Sequence, residues 1–119
     1  MKIKLGNDII KTERIKELYQ KHGETFLNKI FTKTEIEYCE SRGVGKYNSY
    51  AARFAAKEAI YKAVSDLLDD RKIGWKDIEI INEKNGKPKA SVKAMDLEIE
   101  ISLSHEKDYA IATALVYTD

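Results

Sequence analysis

The chain is organised around residues 50–64, YAARFAAKEAIYKAV. Six of these fifteen residues are alanine and none is glycine or proline, a composition that strongly favours an α-helix. Glu58 and Lys62 are four residues apart, so they lie on one face of that helix. Ala51 and Ala55 flank this face, and their small side chains would leave room beside the two charges.

A second charged pair in the same stretch is formed by Arg53 and Lys57, again four residues apart. We expect this pair on another part of the helix surface. If Glu58 and Lys62 form an ordinary surface ion pair on a partly exposed helix, that pair contributes roughly 0.2–0.5 kcal/mol and carries no function. The rest of the chain has to decide between that structural interpretation and a functional site.

Composition limits the class of protein. The chain has 119 residues, of which 43% are hydrophobic, which predicts one globular domain over residues 1–119. Lys and Arg number 21 and Asp and Glu 20, a balance that argues against a general nucleic-acid binder. The single cysteine, Cys39, is expected to be a packing residue and suits a reducing cytoplasm. No membrane segment or signal peptide is expected.

The first half of the chain is predicted to contain one strand followed by helices. The strand covers residues 2–10, with a break near Gly6 and with Asp8 where the strand ends. Thr32 and Glu35 fit a capping box that opens the second helix. The predicted helices cover residues 12–21, 35–42 and 50–68, and an apolar turn and a glycine-containing loop join them.

The second half is predicted to consist of strands. Asn85-Gly86 is a strong hairpin signal, and alternation of apolar and polar residues over 97–104 marks the clearest strand. Further strands are predicted near residues 78–81, 90–94 and 109–116. The layout indicates an α+β fold in which an antiparallel sheet packs against the long central helix and shorter helices.

The candidate chemistry rests on a small set of charged side chains. The chain has no paired-cysteine zinc site, phosphate-binding Walker loop or glycine-rich dinucleotide fingerprint. Two carboxylates suit Mg²⁺, which retains several waters and takes substrate phosphates as further ligands. Lys and Arg nearby would neutralise phosphate charge. The residues of this set are Asp8, Arg53, Glu58, Lys62 and His105.

Three blocks of sequence carry a resemblance to a known family. They are GNDII at residues 6–10, RFAAKEA at residues 53–59 with Lys62, and SLSH at residues 102–105 followed by YAIA at residues 109–112. Together they resemble the holo-[acyl-carrier-protein] synthase family of 4′-phosphopantetheinyl transferases. Their order and spacing hold from end to end, so the resemblance covers nearly the whole chain. It implies the family's transferase fold.

The resemblance also implies an activity. Such enzymes transfer the 4′-phosphopantetheine arm of coenzyme A to a serine of apo acyl carrier protein, in support of fatty acid biosynthesis. The products are holo carrier protein and adenosine 3′,5′-bisphosphate. By position, Asp8 and Glu58 would be the Mg²⁺ ligands and Lys62 would contact the pyrophosphate. Glu58, directly or through a metal-bound water, is the candidate base for the serine hydroxyl, and His105 is the alternative.

The resemblance assigns the substrate and partner contacts as well. Arg53 and His105 would hold the nucleotide around its 3′-phosphate, and Arg14 on the first predicted helix would dock the acidic carrier protein. The family is typically a homotrimer with active sites at subunit interfaces, so His105 or the hairpin could serve a neighbouring subunit. The loop expected on the adenine side consists of Asn85, Gly86, Lys87 and Pro88.

Two other classes of function compete with the transferase. One is a non-catalytic module that binds carrier protein or coenzyme A, against which the joint presence of Asp8, Glu58 and Lys62 argues. The other is a small RNA- or protein-binding α+β domain. Near-neutral charge and the lack of aromatic-rich strand motifs argue against that class.

Overall fold

The computed structural model describes residues 1–118, and it confirms the predicted α+β architecture. The α-helices are α1 (Thr12–His22), α2 (Glu24–Ile30), α3 (Lys33–Glu40) and α4 (Lys46–Val64). The β-strands are β1 (Lys2–Lys11), β2 (Ile78–Asn82), β3 (Pro88–Val92), β4 (Glu98–His105) and β5 (Tyr109–Thr118). None of the helices within residues 1–118 is long and apolar enough to cross a membrane.

The antiparallel strands divide into two sheets. The larger sheet has the order β1-β5-β4, so the first and last strands of the chain are neighbours. The smaller sheet is the hairpin β2-β3, whose turn forms at the predicted Asn85-Gly86. Helix α4 packs against the inner face of the larger sheet and also contacts β2, which places it between the two sheets.

The contact between α4 and the larger sheet is close because many of the residues on both contacting surfaces are glycine or alanine. Ala110, Ala112 and Ala114 of β5 are buried facing α4. Gly6 lies inside an unbroken β1, so the predicted break there is wrong. A Cβ atom at Gly6 would lie 1.7 Å from the carbonyl oxygen of Ala59, which explains why glycine occupies this position.

Helix α4 is far more buried than its sequence suggested. Ala51 and Ala55 are fully buried in the core, so their small side chains serve packing. Arg53 is only 4% exposed and Lys57 is 0% exposed, so the expectation that they form a surface pair is wrong. The reason is that the smaller sheet and α3 cover the side of α4 that the larger sheet leaves open.

Several boundaries also differ from the prediction. The apolar turn after α1 is a helix, α2, and α4 begins at Lys46 rather than at residue 50. Asp8 lies within β1 rather than at its end, because β1 pairs with β5 as far as Lys11. The capping box is confirmed, since the Thr32 amide donates to Glu35 Oε1 over 2.8 Å. Cys39 is confirmed as a packing residue, and burial raises the pKa of its thiol to about 12.

Candidate active site

Three of the predicted site residues converge where α4 crosses β1. The ammonium group of Lys62 donates to Asp8 Oδ1 over 3.1 Å and to the carbonyl oxygen of Asn7 over 3.0 Å. Asp8 is mostly buried, whereas the side chain of Lys62 is about half exposed. Strand β1 therefore holds the ammonium group of Lys62 in place, and the side chain remains accessible from solvent.

Glu58 lies in the same cluster, one helical turn before Lys62. Burial raises the pKa of Glu58, the negative charge of Asp8 raises that pKa further, and the positive charge of Lys62 lowers it. Two carboxylates thus share the site with one cation, and ionised Glu58 is electrostatically disfavoured. A bound dication would relieve this repulsion.

The donor set of this cluster fits Mg²⁺. Residues 1–118 contain no group of three or more His, Cys, Asp or Glu side chains that could hold a metal. Asp8 and Glu58 would supply two hard oxygen ligands, and waters and substrate phosphate oxygens would have to supply the others. That division of ligands is typical of Mg²⁺ sites that act on phosphates.

A cavity opens directly beside Glu58. Its volume is about 290 Å³, and its walls include Glu58, Tyr61, Ile73 and Trp75. Trp75 is held in place by a stacked contact with Phe54, whose ring centroid lies 5.0 Å away. The charged cluster is therefore bordered by a mainly apolar cleft.

Arg53 is not part of this cluster. Its Nη2 atom donates to Asn82 Oδ1 over 2.5 Å, and its guanidinium lies 4.2 Å from the centre of the Tyr38 ring. Asn82 in turn donates to the carbonyl oxygen of Gly86 over 3.3 Å. Arg53 therefore connects α4 to the base of the β2-β3 hairpin, and its guanidinium is engaged by groups of the protein itself.

The hairpin loop also lies away from the charged cluster. Asn85, Gly86 and Lys87 are exposed, and the loop joins α4 through Arg53. Arg53 precedes Lys62 by nine residues, which corresponds to about 13 Å along the helix axis. One chain therefore does not bring the hairpin to the site of Lys62.

His105 also lies away from the charged cluster, across the larger sheet. It ends β4, opposite Ala110 of β5, whereas Asp8 in β1 lies opposite Ala112. Because β5 lies between β4 and β1, about two strand spacings, or roughly 10 Å, separate them. His105 and the hairpin are both exposed, so both remain available to a neighbouring molecule.

Sequence reasoning missed a buried ion pair between Glu35 and Lys57. Lys57 Nζ lies 2.8 Å from Glu35 Oε1, and both side chains are 0% exposed. Burial lowers the pKa of Lys57, and the charge of Glu35 opposes that shift. A lysine in a stretch so rich in alanine was a signal of this pairing, because a charge in an otherwise apolar helix needs a buried partner.

Comparison with known proteins agrees with this geometry. The family model described as the 4′-phosphopantetheinyl transferase superfamily matches residues 4–114. A holo-[acyl-carrier-protein] synthase of Ruminiclostridium cellulolyticum is 45% identical, over 98% of this chain and 92% of its own. The same enzyme of Thermodesulfovibrio yellowstonii is 43% identical, over 94% of this chain and 96% of its own.

A solved structure shows the same architecture with a ligand. The crystal structure of a holo-(acyl-carrier-protein) synthase from Bacillus anthracis, in complex with CoA (3′,5′-ADP), has a TM-score of 0.79 and 30% identity. The match covers 95% of this chain and 94% of that one. The chain therefore belongs to the 4′-phosphopantetheinyl transferase superfamily and, within it, to the holo-[acyl-carrier-protein] synthases.

Proposed function

We propose that this enzyme transfers the 4′-phosphopantetheine arm of coenzyme A to a serine of apo acyl carrier protein at the cluster of Asp8, Glu58 and Lys62. Adenosine 3′,5′-bisphosphate leaves, and the product is the holo carrier protein used in fatty acid biosynthesis. The observation that carries the proposal is the convergence of two carboxylates and a half-exposed lysine, with Lys62 held 3.1 Å from Asp8. The family of the chain supports the same reaction.

In this reaction the serine oxygen bonds to the phosphorus of the arm as the bond from that phosphorus to the bridging oxygen breaks. Lys62 would stabilise the negative charge that develops on the pyrophosphate, because Asp8 and the Asn7 carbonyl aim its ammonium group. Mg²⁺ held by Asp8 and Glu58 would neutralise pyrophosphate charge. Glu58 would accept the serine proton, and His105 is the alternative candidate base.

The direct test is intact mass spectrometry of apo acyl carrier protein incubated with this protein, coenzyme A and Mg²⁺. We expect the mass of the carrier protein to increase by one phosphopantetheine arm with Mg²⁺ and to stay unchanged with EDTA. The EDTA sample thereby tests whether a divalent cation is required. If a known transferase modifies the same carrier and this protein does not, a second carrier protein is tried. Failure with both would favour a non-catalytic binding module.

Lys62→Ala is expected to lower the transfer rate about 10²- to 10³-fold while weakening coenzyme A binding far less. The reason is that Lys62 acts on charge that develops mainly in the transition state. Steady-state kinetics and calorimetric titration with coenzyme A measure the two effects. Equal losses in rate and in affinity would reduce Lys62 to a binding residue.

We propose that the nucleotide end of coenzyme A binds between subunits. Asn85, Gly86, Lys87 and Pro88 of one chain would contact the adenine side, and His105 would contact the 3′-phosphate. Support comes from their exposure and from their distance to the charged cluster of the same chain. Arg53 would act through Asn82, to which it donates, by fixing the base of the hairpin loop.

The outer face of the larger sheet supports assembly into a homotrimer. Ile9 lies directly across from Ile111, and Leu5 lies across from Leu115. Leu5 is 68% exposed and Ile9 60% exposed, although both are large and apolar. The polar pair Asn7 and Thr113 lies between these two apolar pairs. Large exposed apolar side chains grouped on one face are typical of a protein interaction surface. Further copies of this chain are the occupant that we propose, because subunit contacts would also complete the dispersed site.

Leu5→Lys is expected to dissociate the assembly, because it places a charge in the centre of the proposed interface. Light scattering should give about three times the 13.6 kDa chain mass for the native protein and a single chain mass for the variant. Transfer activity should fall with the assembly. Val44→Lys, at a fully exposed apolar residue away from the sheet, is the matched control and should leave the mass unchanged.

We propose that α1 docks the carrier protein through Arg14. Arg14 is exposed on this helix, whereas Lys16 of the same helix is turned toward Tyr47, with its ammonium 5.6 Å from the ring centre. An exposed guanidinium suits the carboxylates of an acidic partner. Arg14 is thus the better placed of the two cations to meet the carrier protein.

Arg14→Glu is expected to raise the KM for apo acyl carrier protein about tenfold or more without changing the KM for coenzyme A. The effect should shrink at high salt, because charge attraction guides the encounter. The control is Lys72→Glu, which makes the same change of charge at an exposed residue outside α1. An equal effect of both variants would mean that only net charge matters.

We further propose that residues 1–119 act as one domain in the cytoplasm. Helix α4 supports this, since Ala55 and Ile60 belong to one hydrophobic cluster while Tyr50 and Ala51 belong to the other. The two clusters therefore share one helix. Buried Cys39 in its thiol form is compatible with a reducing compartment.

A further inference from the structure

The buried ammonium of Lys57 is saturated by three acceptors. Besides Glu35 Oε1, 2.8 Å away, it donates to the carbonyl oxygens of Trp75 over 3.0 Å and Ile78 over 2.5 Å. Trp75 and Ile78 belong to the segment that enters β2. Lys57 therefore fixes the direction in which one side of α4 faces the smaller sheet.

Glu35 completes the connection on the other side. Its Oε1 also accepts the amide of Thr32 over 2.8 Å, and its Oε2 accepts the amide of Ile80 over 2.8 Å. The carboxylate thus caps α3, pairs with α4 and bonds to β2 at once. Three separate elements meet at one ion pair.

Stability alone is a weak reason for such a pair. Desolvation of two charges costs about as much as their attraction returns, and well-packed apolar replacements are often neutral or stabilising. The position of this pair suggests another role. Lys57 directly precedes Glu58, and both line the cavity of about 290 Å³ beside the charged cluster.

We propose that the Glu35–Lys57 pair is a positioning element of the transfer site, which fixes the rotation of α4 so that Glu58 and Lys62 face Asp8. Successive residues of an α-helix point about 100° apart, so the direction of Lys57 determines the direction of Glu58. Arg53, one turn earlier, reinforces the same rotation through Asn82. The proposal rests on the proposed metal and transfer site.

The experiment replaces both charges by unbranched apolar side chains in Glu35→Met/Lys57→Met. We expect this double variant to fold with an unfolding midpoint about 10 °C or more below that of the native protein, because the amides of Thr32 and Ile80 lose their acceptor. We also expect its affinity for Mn²⁺, titrated by electron paramagnetic resonance with adenosine 3′,5′-bisphosphate present, to fall about tenfold or more. Transfer turnover should fall by a similar factor.

The matched control is Lys4→Met/Asp66→Asn, which removes an exposed ion pair with a 2.6 Å contact and should change neither Mn²⁺ affinity nor turnover. Native Mn²⁺ affinity and turnover in the folded double variant would overturn the proposal. If the double variant does not fold, Lys57→Met replaces it, because this variant removes the Lys57 contacts but leaves the Glu35 oxygens to accept the amides of Thr32 and Ile80. Native Mn²⁺ affinity in folded Lys57→Met overturns the proposal equally. Absence of transfer by the native protein would instead contradict the proposed function, while the Mn²⁺ titrations would still test positioning.

Discussion

Glu58→Gln is expected to lower transfer about 10²- to 10³-fold at saturating coenzyme A and carrier protein. Asp8→Asn should have an effect of the same size. Each variant removes one of the two carboxylates that would hold Mg²⁺, and no third acidic, histidine or cysteine ligand lies close enough within residues 1–118 to replace it. Raising the Mg²⁺ concentration should recover part of the lost rate.

The loss should occur without loss of folding. Burial and the charge of Asp8 raise the pKa of Glu58, so its negative charge is less favourable in the folded chain than in the unfolded chain. Removing that charge should leave the unfolding midpoint unchanged or raise it. Asp70→Asn, at an exposed carboxylate, is the control for both measurements. Full Mg²⁺-dependent transfer by Glu58→Gln would remove Glu58 from the metal site.

Gly6→Ala is expected to destabilise the fold by more than about 3 kcal/mol, which lowers the unfolding midpoint by about 10 °C or more. The new Cβ would lie 1.7 Å from the Ala59 oxygen, 2.7 Å from the Ala59 carbonyl carbon and 3.0 Å from the Ala63 nitrogen. All three are backbone atoms of α4, so no side chain can rotate away and β1 must separate from the helix. Thermal unfolding followed by circular dichroism measures the effect.

The same substitution should also impair transfer, because Asp8 lies two residues along β1 and would move with the strand. Gly45→Ala is a matched control, since its Cβ would meet nothing within 4 Å and its φ of −81° suits alanine. A native unfolding midpoint for Gly6→Ala would show that the approach of β1 to α4 is looser than the structure describes.

Much of this protein could be predicted from local sequence signals. The alanine-rich stretch, the capping box at Thr32 and the hairpin at Asn85-Gly86 each produce structure through contacts within a few residues. The resemblance of the Gly6–Ile10 and Arg53–Ala59 blocks to known transferases identified the family. It also predicted a shared site for Asp8, Glu58 and Lys62, and the structure places these three side chains close together.

Other features depended on partners distant in the chain. Arg53 and Lys57 are two cations four residues apart, a spacing that is also common on exposed helix surfaces, yet both are buried. Their partners Asn82 and Glu35 belong to other elements, whose positions local sequence patterns cannot predict. Gly6 was predicted to break a strand because its contact with the backbone of α4 is likewise invisible to local sequence patterns. A glycine required by close approach and one required by a turn are identical in sequence.

Residue type and short-range spacing are sufficient to predict the family, the helix that bears Glu58 and Lys62, and the alternation of the strands. Which side of α4 faces which sheet depends on long-range packing, and so does the choice of which charges pair and which remain open to a substrate. Burial and charge pairing are properties of segments far apart in the chain, such as Asp8 with Lys62 and Glu35 with Lys57, and they arise only when those segments pack together.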